Sequence, residues 1–473
     1  MAIDLIIKNG VLITMDPQRR IIEGGDLAID GGKIIALGVN LPFEARKTLS
    51  AQGCVVCPGF INGHSHVYQS LIEGIGYDMH FDPWNWRFLF PVVSKIRPEH
   101  ALAGAALAAL EMIKNGVTTI SDHWYLHTDM QNIYRVTETF DRAGLRAQMV
   151  FGLLDQTFAG ERTDSEYMTM IQKEDTLVRE ARRYHQTWHK TRRTTIALGP
   201  GSTEDISESL MRKTVELGRD LDVNVSTHVA GWIEINSYCM RHFGERDLEH
   251  FHSLGLTGPR GVMFHAVWLS YREIEIMAQT GTKVVHCPVA NAYLGYGIAP
   301  VSQMLSRGIT VGLGTDGAAS YTYDMLEVGR TAAMLQKATR LDAEVVTAEQ
   351  VLEMLTIGGA RVLGIEDQVG SLEVGKQADV IVVDFSQPHL LPVGRWVPKL
   401  VYSARGSDVI HTVVDGQILM EDRQVLSLDE SQVIEQALKA RADLVEVAGQ
   451  ETRDLLSAPW PESGPSWRSI VKK

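Results

Sequence analysis

The sequence predicts an α/β protein, a (β/α)8 TIM barrel joined to a small β-sandwich domain that both ends of the chain build. Three observations predict this fold class. Short apolar strands alternate with helices through the middle of the chain, hairpin signals recur near both termini, and polar residues follow the predicted strands. Alternating strands and helices are typical of a parallel sheet, and polar residues at the carboxyl ends of strands mark the face of a barrel that carries a site.

The barrel is predicted from a strand–helix–glycine unit that repeats through residues 57–365. In RPEHALAGAALAALEMIKNGVTTISDH, Pro98 stands at a helix start, Asn115-Gly116 ends that helix, and VTTI is the next strand. We predict strands at 54–61, 117–121, 145–152, 195–199, 223–228, 261–266, 282–286 and 309–314. Eight such strands in succession predict a barrel whose active site lies at their carboxyl ends.

The small domain is predicted from four hairpin signals, at Asn9-Gly10, Gly31-Gly32, Gly375 and Asp415-Gly416. Because two lie near each terminus, we predict that residues 1–56 and 366–427 form one composite β domain into which the barrel is inserted. Residues 428–473 are predicted to form a helical tail. Its amphipathic segment SQVIEQALKARADLVEVA is expected to serve packing or a dimer contact.

Composition excludes several classes of function. The 473 residues carry a net charge of −13, from 45 basic and 58 acidic residues, whereas a nucleic-acid binder needs a basic face. The start MAIDLIIKNG does not read as a signal peptide, and the apolar stretch ALAGAALAALEMI is too short to span a bilayer. The four cysteines suggest reduced thiols. We therefore expect a cytoplasmic protein without a membrane or nucleic-acid partner.

A candidate metal site is formed by polar residues at the predicted strand ends. His64 and His66 follow the first strand two positions apart, so both project to one side. His228 ends the fifth strand, His265 ends the sixth, and Asp316 follows the eighth. Three or four imidazoles with one carboxylate suit one divalent ion per chain, zinc in the first place, with iron, cobalt and manganese as alternatives.

The segments PGFINGHSH, HVAG, FHAVWLS, HCPVANAYLG and GLGTDGAAS resemble the amidohydrolase superfamily. The most similar branch contains atrazine chlorohydrolase, s-triazine hydrolases, and 8-oxoguanine and adenosylhomocysteine deaminases, and the resemblance covers nearly the whole chain. It implies one metal ion held by His64, His66, His228 and Asp316, with His265 orienting or polarising at the metal. It also implies a homodimer or larger homo-oligomer.

The expected activity is hydrolysis of a C–N bond, outside peptides, in a small and largely neutral molecule. A bound divalent ion lowers the pKa of a water to near neutrality. Asp316 is expected to take the proton of that water, and His265 to hydrogen-bond the attacking oxygen or the substrate. A catalytically inactive relative would have lost metal ligands, and all five residues are present, so we predict an enzyme.

One residue of the expected machinery is missing. The deaminases that the sequence resembles carry H-x-x-E after the fifth strand, and that glutamate protonates a ring nitrogen. Here the position is Gly231, and the first carboxylate, Glu234, comes three residues later. Because YCMRHFGERDLEH aligns with the family without a gap, we favour a real absence.

This absence leaves two hypotheses about the substrate. A carbonyl carbon needs no ring protonation, so the first hypothesis is an amide, urea, carbamate or cyclic imide. The alternative is a heteroaromatic deaminase or chlorohydrolase, of triazine, purine or pyrimidine type, that uses Glu234 or another acid.

We predict seven substrate contacts, Gln69, His80, Trp84, Trp86, His123, Ser320 and Tyr321. His80, Trp84 and Trp86 belong to the loop after the first strand, where they either roof the pocket or form a loop cluster. His123 ends the second strand, and a role in the core is equally open. The resemblance alone implies Gln69, and Tyr321 stands beside Ser320 where family members often have asparagine.

Overall fold

The computed structural model describes residues 2–157 and 166–457, and their strands form two sheets. The mixed sheet contains β1 (Ile3–Ile13), β2 (Ile21–Asp30), β3 (Lys33–Val39), β4 (Ala45–Ser50), β5 (Cys54–Pro58), β14 (Val380–Asp384), β15 (Val409–Val414), β16 (Gln417–Glu421) and β17 (Gln424–Val425). The parallel sheet contains β6 (Phe60–Ser65), β7 (Val117–Trp124), β8 (Arg146–Leu153), β9 (Thr194–Pro200), β10 (Val225–Val229), β11 (Gly261–His265), β12 (Lys283–His286) and β13 (Val311–Leu313).

The parallel sheet closes into a barrel and confirms the predicted fold class. Strands β6 to β13 pair in chain order, each parallel to the next. The gap between the last strand and the first is bridged by backbone bonds, since the amides of Thr315 and Asp316 donate to the carbonyl of His64 at 3.1 and 3.0 Å. This closure places His64, on the first strand of the barrel, beside Asp316, which follows the last strand.

The first predicted strand, 54–61, was wrong as one element, because it is two strands in different sheets. β5 pairs antiparallel with β14 of the mixed sheet, and β6 pairs parallel with β7 of the barrel. The chain crosses between the sheets at Gly59, where a Cβ atom would lie only 2.1 Å from the Thr118 side chain. Only glycine fits this close approach, and the apolar run on either side hides it. The other seven predicted strands lie within two or three residues of observed ones.

Helices surround the barrel and cover the site. They are α1 (Phe81–Pro83), α2 (Phe90–Val93), α3 (Pro98–Lys114), α4 (Gln131–Ala143), α5 (Glu174–Trp188), α6 (Glu208–Asp220), α7 (Ile233–His242), α8 (Asp247–Ser253), α9 (Tyr271–Thr280), α10 (Pro288–Tyr293), α11 (Val301–Ser306), α12 (Met325–Arg340), α13 (Ala348–Leu355), α14 (Ile357–Leu363), α15 (Trp396–Ser403), α16 (Glu430–Ala448) and α17 (Gln450–Ser457). A π-helical turn, Trp84–Leu89, joins α1 to α2. Side-chain caps begin several of them. Ser207 caps α6, and Asp324 caps α12 by accepting two backbone N–H bonds.

The mixed sheet is attached to the amino-terminal end of the barrel by a buried ion pair. Arg146, at the start of β8, donates two bonds to Asp379, just before β14, at 2.8 and 3.0 Å. Both side chains are buried. The C-terminal helix α16 packs on α3, and its Arg441 donates to backbone carbonyls of the loop after β6. The boundaries of the composite β domain, the barrel and the tail stay predictions, and residues 458–473 lie outside the described residues.

None of the helices in the described part of the chain has both the length and the apolar character that a membrane span requires.

Candidate metal centre and its pocket

The five residues predicted at strand ends come together at the carboxyl end of the barrel. His64 ends β6 together with the adjacent His66, His228 lies on β10, His265 ends β11, and Asp316 follows β13. Ligand atoms of His64, His66, His228 and Asp316 all lie within 4.8 Å of one another. The barrel therefore gathers four donors that are up to 252 positions apart in the sequence.

The hydrogen bonds behind the cluster aim its ring nitrogens at one point. The Nδ1 of His66 donates to the carbonyl of His123 at 2.8 Å, and the Nδ1 of His228 donates to the carbonyl of Gly201 at 2.5 Å. Each bond leaves the Nε2 lone pair facing forward, and these two Nε2 atoms are 3.2 Å apart. The Asp316 Oδ1 lies 3.3 Å from the His66 Nε2. Backbone partners of this kind orient histidines that bind metals.

The burial of His64 provides a test of whether a metal fits. Both of its ring nitrogens are buried without a hydrogen-bond partner in the described part of the chain, and its Nε2 is 3.4 Å from the Asp316 Oδ1. Burial lowers the pKa of His64, His66 and His228 well below the usual range, so the rings are neutral. Neutral imidazoles with one carboxylate are the donor set of zinc. The residues present therefore fit a divalent cation.

The backbone around the cluster is strained. Asp316 has a φ of 71°, His265 a φ of 67°, and Ala230, two residues after His228, a φ of 46°. Non-glycine residues in this left-handed region cost roughly 1–3 kcal/mol each and collect at functional sites. The strain turns the chain sharply where each strand ends, so that the side chains of Asp316 and His265 face the same space.

His265 is positioned beside the cluster. Its Nδ1 donates to the Oδ1 of the fully buried Asn291 at 2.7 Å. This bond leaves the Nε2 facing the pocket, 3.9 Å from the Asp316 Oδ2. The arrangement suits a group that hydrogen-bonds an attacking oxygen beside Asp316.

A cavity opens beside the metal cluster, and His66, His228, His265 and Asp316 are among the residues that line it. Six aromatic side chains line it, namely Phe81, Trp84, Phe90, Tyr125, Trp232 and Tyr296. The ring of Phe81 lies 4.7 Å from Trp232 and 5.0 Å from Tyr296, centroid to centroid. Three carboxyl side chains, Glu204, Asp205 and Asp316, also line it, and its described lining contains no lysine or arginine. The pocket suits a flat molecule without negative charge.

The predicted substrate contacts separate into two groups. Gln69 and Trp84 line the cavity, and Gln69 also accepts a bond from the Ala318 amide. The other five lie outside its described lining, namely His80, Trp86, His123, Ser320 and Tyr321. His80 is exposed, and Trp86 packs against Phe90.

The remaining three of these five are His123, Ser320 and Tyr321. His123 is buried behind it, with its ring 5.3 Å from that of His228 and its Nε2 donating to the Gly199 carbonyl. Ser320 is buried, whereas Tyr321 is 46% exposed and donates to Glu327. Roles in substrate binding stay predictions for all seven.

The position of the missing acid is open and faces the site. A Cβ atom added at Gly231 would lie 3.6 Å from the ring of His265, an ordinary contact, and the φ of Gly231 is outside the left-handed region. Glu234 is exposed on the first turn of α7 and is not part of the cavity lining. A catalytic role for Glu234 therefore stays a prediction without geometric support.

The sequence analysis missed two carboxyl groups of the pocket, those of Glu204 and Asp205. Glu204 follows β9, is 6% exposed, and lines the cavity together with the cluster. The segment PGSTED shows polar residues directly after a strand, the same signal that identified the histidines. Tyr125, Trp232 and Tyr296 were missed because loop aromatics carry no such positional signal.

Comparisons with known proteins agree with this architecture. The sequence profile described as "Amidohydrolase family" matches residues 55–419. A 5'-deoxyadenosine deaminase of Methanosarcina mazei is 35% identical over 446 residues, covering 93% of this chain and 98% of the relative. A 5-methylthioadenosine/S-adenosylhomocysteine deaminase of Syntrophobacter fumaroxidans is 36% identical over 445 residues, covering 91% and 96%.

Solved structures give the same picture. The adenosine deaminase of Xanthomonas campestris with bound zinc superposes with a TM-score of 0.86 and 27% identity, over 94% of this chain and 99% of that one. The zinc complex of the atrazine chlorohydrolase of Arthrobacter aurescens TC1 reaches 0.83 at 24% identity, over 92% and 100%, and shows the shared fold.

Proposed function

The chain belongs to the amidohydrolase family and is a metal-dependent hydrolase of C–N bonds, and we propose that it deaminates a neutral aromatic nitrogen heterocycle of the purine-nucleoside type. One observation carries this proposal. The cavity above the His-His-His-Asp cluster is walled by aromatic rings and has no cationic side chain in its described lining. Stacking of a heterocyclic base on an aromatic side chain is worth about 1–3 kcal/mol.

The comparisons favour the alternative of the two sequence hypotheses. The carbonyl hypothesis was based on Gly231, whereas the relatives at 35–36% identity over more than nine tenths of the chain are deaminases of adenosine derivatives. A carbonyl substrate of an amide, urea or carbamate type finds no support among these relatives. The shape of the pocket, with Phe81, Trp232 and Tyr296 close together, agrees with a flat ring.

We propose one zinc ion per chain, held by His64, His66, His228 and Asp316. When bound, the ion would supply an acidified water and an electrostatic pull on the substrate. Asp316 holds one carboxylate oxygen toward the histidines and the other toward His265. In this proposal Asp316 takes the proton of the water, and the His265 Nε2 hydrogen-bonds the oxygen that adds to the ring carbon.

The electrostatics of the pocket support a neutral substrate. Asp205 and Asp316 place carboxyl groups in the wall of the cavity, whose described lining contains no lysine or arginine. A phosphorylated nucleotide would bring a dianion into this low-dielectric space, where like charges repel strongly. The proposal therefore covers nucleosides and free bases and excludes their 5'-phosphates.

A second candidate function is hydrolysis of a carbonyl C–N bond. The observation that favours it is the open position at Gly231, where the ring-protonating acid of related deaminases is absent. A carbonyl substrate does not require that acid.

Assembly and location belong to the proposal as well. We propose a homodimer or larger homo-oligomer, and the exposed Ile434 and Leu438, one turn apart on α16, support a contact there. We also propose a cytoplasmic location, which agrees with four free cysteines.

The test is ammonia release by zinc-reconstituted protein on paired panels. One panel contains aminated purine nucleosides, free aminopurines and aminotriazines, and the other contains amides, ureas, carbamates and cyclic imides. Each nucleoside is paired with its 5'-monophosphate. Turnover of nucleosides with phosphates rejected by at least about tenfold in kcat/KM supports the proposal. Turnover confined to the carbonyl panel refutes it in favour of the second candidate.

A further inference from the structure

Deamination of an aromatic ring requires an acid, and none of the residues assigned so far supplies it. The ring nitrogen next to the amino-bearing carbon must be protonated before water adds, and the residue at position 231 is glycine. This inference rests on the proposed function, because it asks which group of the pocket gives that proton.

Glu204 lies in the loop after β9, and Gly231 lies just after β10, the strand that pairs with β9. The backbone amide and the Nδ1 of His228, on β10, both donate to the carbonyl of Gly201, which follows β9. Gly231 is three residues beyond His228, and Glu204 is three residues beyond Gly201. At matching sequence offsets from this hydrogen bond, the segments after two adjacent parallel strands carry a glycine in one case and a carboxylic acid in the other.

The two positions are also tied together. The Thr203 hydroxyl donates to one oxygen of the buried Asp247, and the Ala230 amide donates to the other at 2.6 Å. Asp247 therefore joins the residue before Glu204 to the residue before Gly231. Asp247 therefore holds the loop that contains Glu204 beside the turn that contains Gly231.

The loop is fixed on its other side as well. The Gln156 Nε2 donates to the carbonyl of Ile206 at 3.0 Å. Asp205 accepts the hydroxyl of Tyr167 at 2.6 Å and that of Ser202 at 2.9 Å. Burial raises the pKa of Asp205 to about 6. These bonds fix the loop on both sides of Glu204, as the positioning of a catalytic group requires.

Glu204 belongs to the same pocket as Asp316. Both line the cavity, and Glu204 is 6% exposed. Tyr296 lines the same cavity, and burial raises the pKa of its phenol well above the ordinary range.

We infer that Glu204 is the acid that protonates the substrate nitrogen, in place of the missing residue at 231. Glu204 gives its proton to the ring nitrogen while water adds to the carbon and Asp316 takes one water proton. Asp316 then passes that proton to the amino group, the C–N bond breaks with its electron pair on nitrogen, and ammonia leaves. The new hydroxyl becomes a carbonyl, and its proton restores Glu204. The sum is one heteroaryl amine and one water converted to one oxo product and one ammonia.

The first test is Glu204→Gln, which keeps the size of the side chain and removes the acid. A positioned acid contributes about 100- to 10,000-fold, so we expect kcat to fall at least about 100-fold. KM and zinc content should change little, and the alkaline limb of the pH–kcat profile should be lost. A kcat within about threefold of the wild type would overturn the inference. So would a loss of kcat with an unchanged pH profile, because that outcome indicates a structural role.

The second test is rescue from the neighbouring strand. Gly231→Glu is accommodated sterically, since its Cβ would make an ordinary contact with His265. Adding Gly231→Glu to the Glu204→Gln variant should raise kcat at least about tenfold over Glu204→Gln alone. Glu216→Gln, an exposed glutamate on α6, is the matched control and should leave kcat unchanged. The inference would be overturned if Glu234→Gln abolished activity while Glu204→Gln stayed active. That result would assign the acid to Glu234 on α7.

The two proposals fail in different ways. If the wild type consumes only carbonyl compounds, the proposed function is refuted. The Glu204→Gln comparison is then made on those compounds, where the leaving nitrogen still needs a proton, and the same criteria decide the role of Glu204. If nucleosides are consumed and Glu204→Gln keeps its rate, the function stands and the assignment of the acid is wrong.

Discussion

Replacing Trp232 with leucine removes one aromatic wall of the pocket and tests what kind of molecule binds there. Trp232 is partly buried, lines the cavity, and has its ring 4.7 Å from that of Phe81 and 6.2 Å from that of Tyr296. If a heterocycle stacks on this cluster, the loss is about 1–3 kcal/mol. At 1.36 kcal/mol per tenfold change, kcat/KM should fall roughly 5- to 150-fold.

The assay compares kcat/KM for the best aminated heterocycle in the wild type and in two variants. Trp188→Leu is the matched control, because Trp188 is also partly buried but ends α5, at the opposite end of the barrel from the site. We expect it to lower stability about as much as Trp232→Leu does and to leave kcat/KM unchanged. Equal effects of the two variants, or a change of less than about threefold for Trp232→Leu, would refute the stacking argument.

Three further predictions concern the metal, the attachment of the mixed sheet and a buried carboxyl group. His228→Asn should reduce zinc content, measured by elemental analysis, to a trace and kcat at least about 100-fold; retained stoichiometric zinc would contradict the ligand assignment. Arg146→Met leaves the Asp379 carboxylate buried without its partner, so urea unfolding should show a loss of about 3–5 kcal/mol. Arg146→Met/Asp379→Leu should recover most of it, and a double variant no more stable than the single one would contradict this reasoning. Burial, and then the charge of Glu111, raise the pKa of Glu73 from 4.5 to about 8. Between these pH values the folded protein keeps a proton on Glu73 that the unfolded chain releases. The free energy of unfolding therefore falls as pH rises from 4.5 to about 8. Glu73→Gln should flatten the fall in unfolding free energy between pH 5 and 8, by up to about 1.4 kcal/mol per pH unit, and parallel curves for variant and wild type would exclude this source.

The His-His-His-Asp cluster was predictable because each of its residues is marked by its position in a repeated unit. His228 lies near the end of β10 and Asp316 lies shortly after β13, and parallel strands in a closed barrel bring their carboxyl ends to one face. The same rule would have identified Glu204, which follows β9 in the same way. The signal at Glu204 and Asp205 is ambiguous, because carboxylates after a strand are also common before a helix, and α6 begins at Glu208.

The boundary between the two sheets was not predictable. The predicted strand 54–61, CVVCPGFI, is apolar on both sides of Pro58-Gly59, and β5 and β6 are both buried throughout. What separates them is a contact from outside the run, the approach of Thr118 to Gly59. Likewise Trp84 and Trp86 are neighbours in one aromatic loop. Only the π-helical turn that contains both residues decides that Trp84 lines the cavity and Trp86 packs against Phe90.

The sequence by itself determined the barrel, the composite mixed sheet, the family, and the four donors of the metal centre, because all depend on local periodicity and on fixed positions at strand ends. Only the tertiary structure decided which carboxyl groups and which aromatic rings line the cavity. Those assignments depend on how loops from different strands fold over one another, as when Asp247 joins Thr203 to Ala230. Such contacts link residues far apart in the chain, and no local pattern in the sequence encodes them.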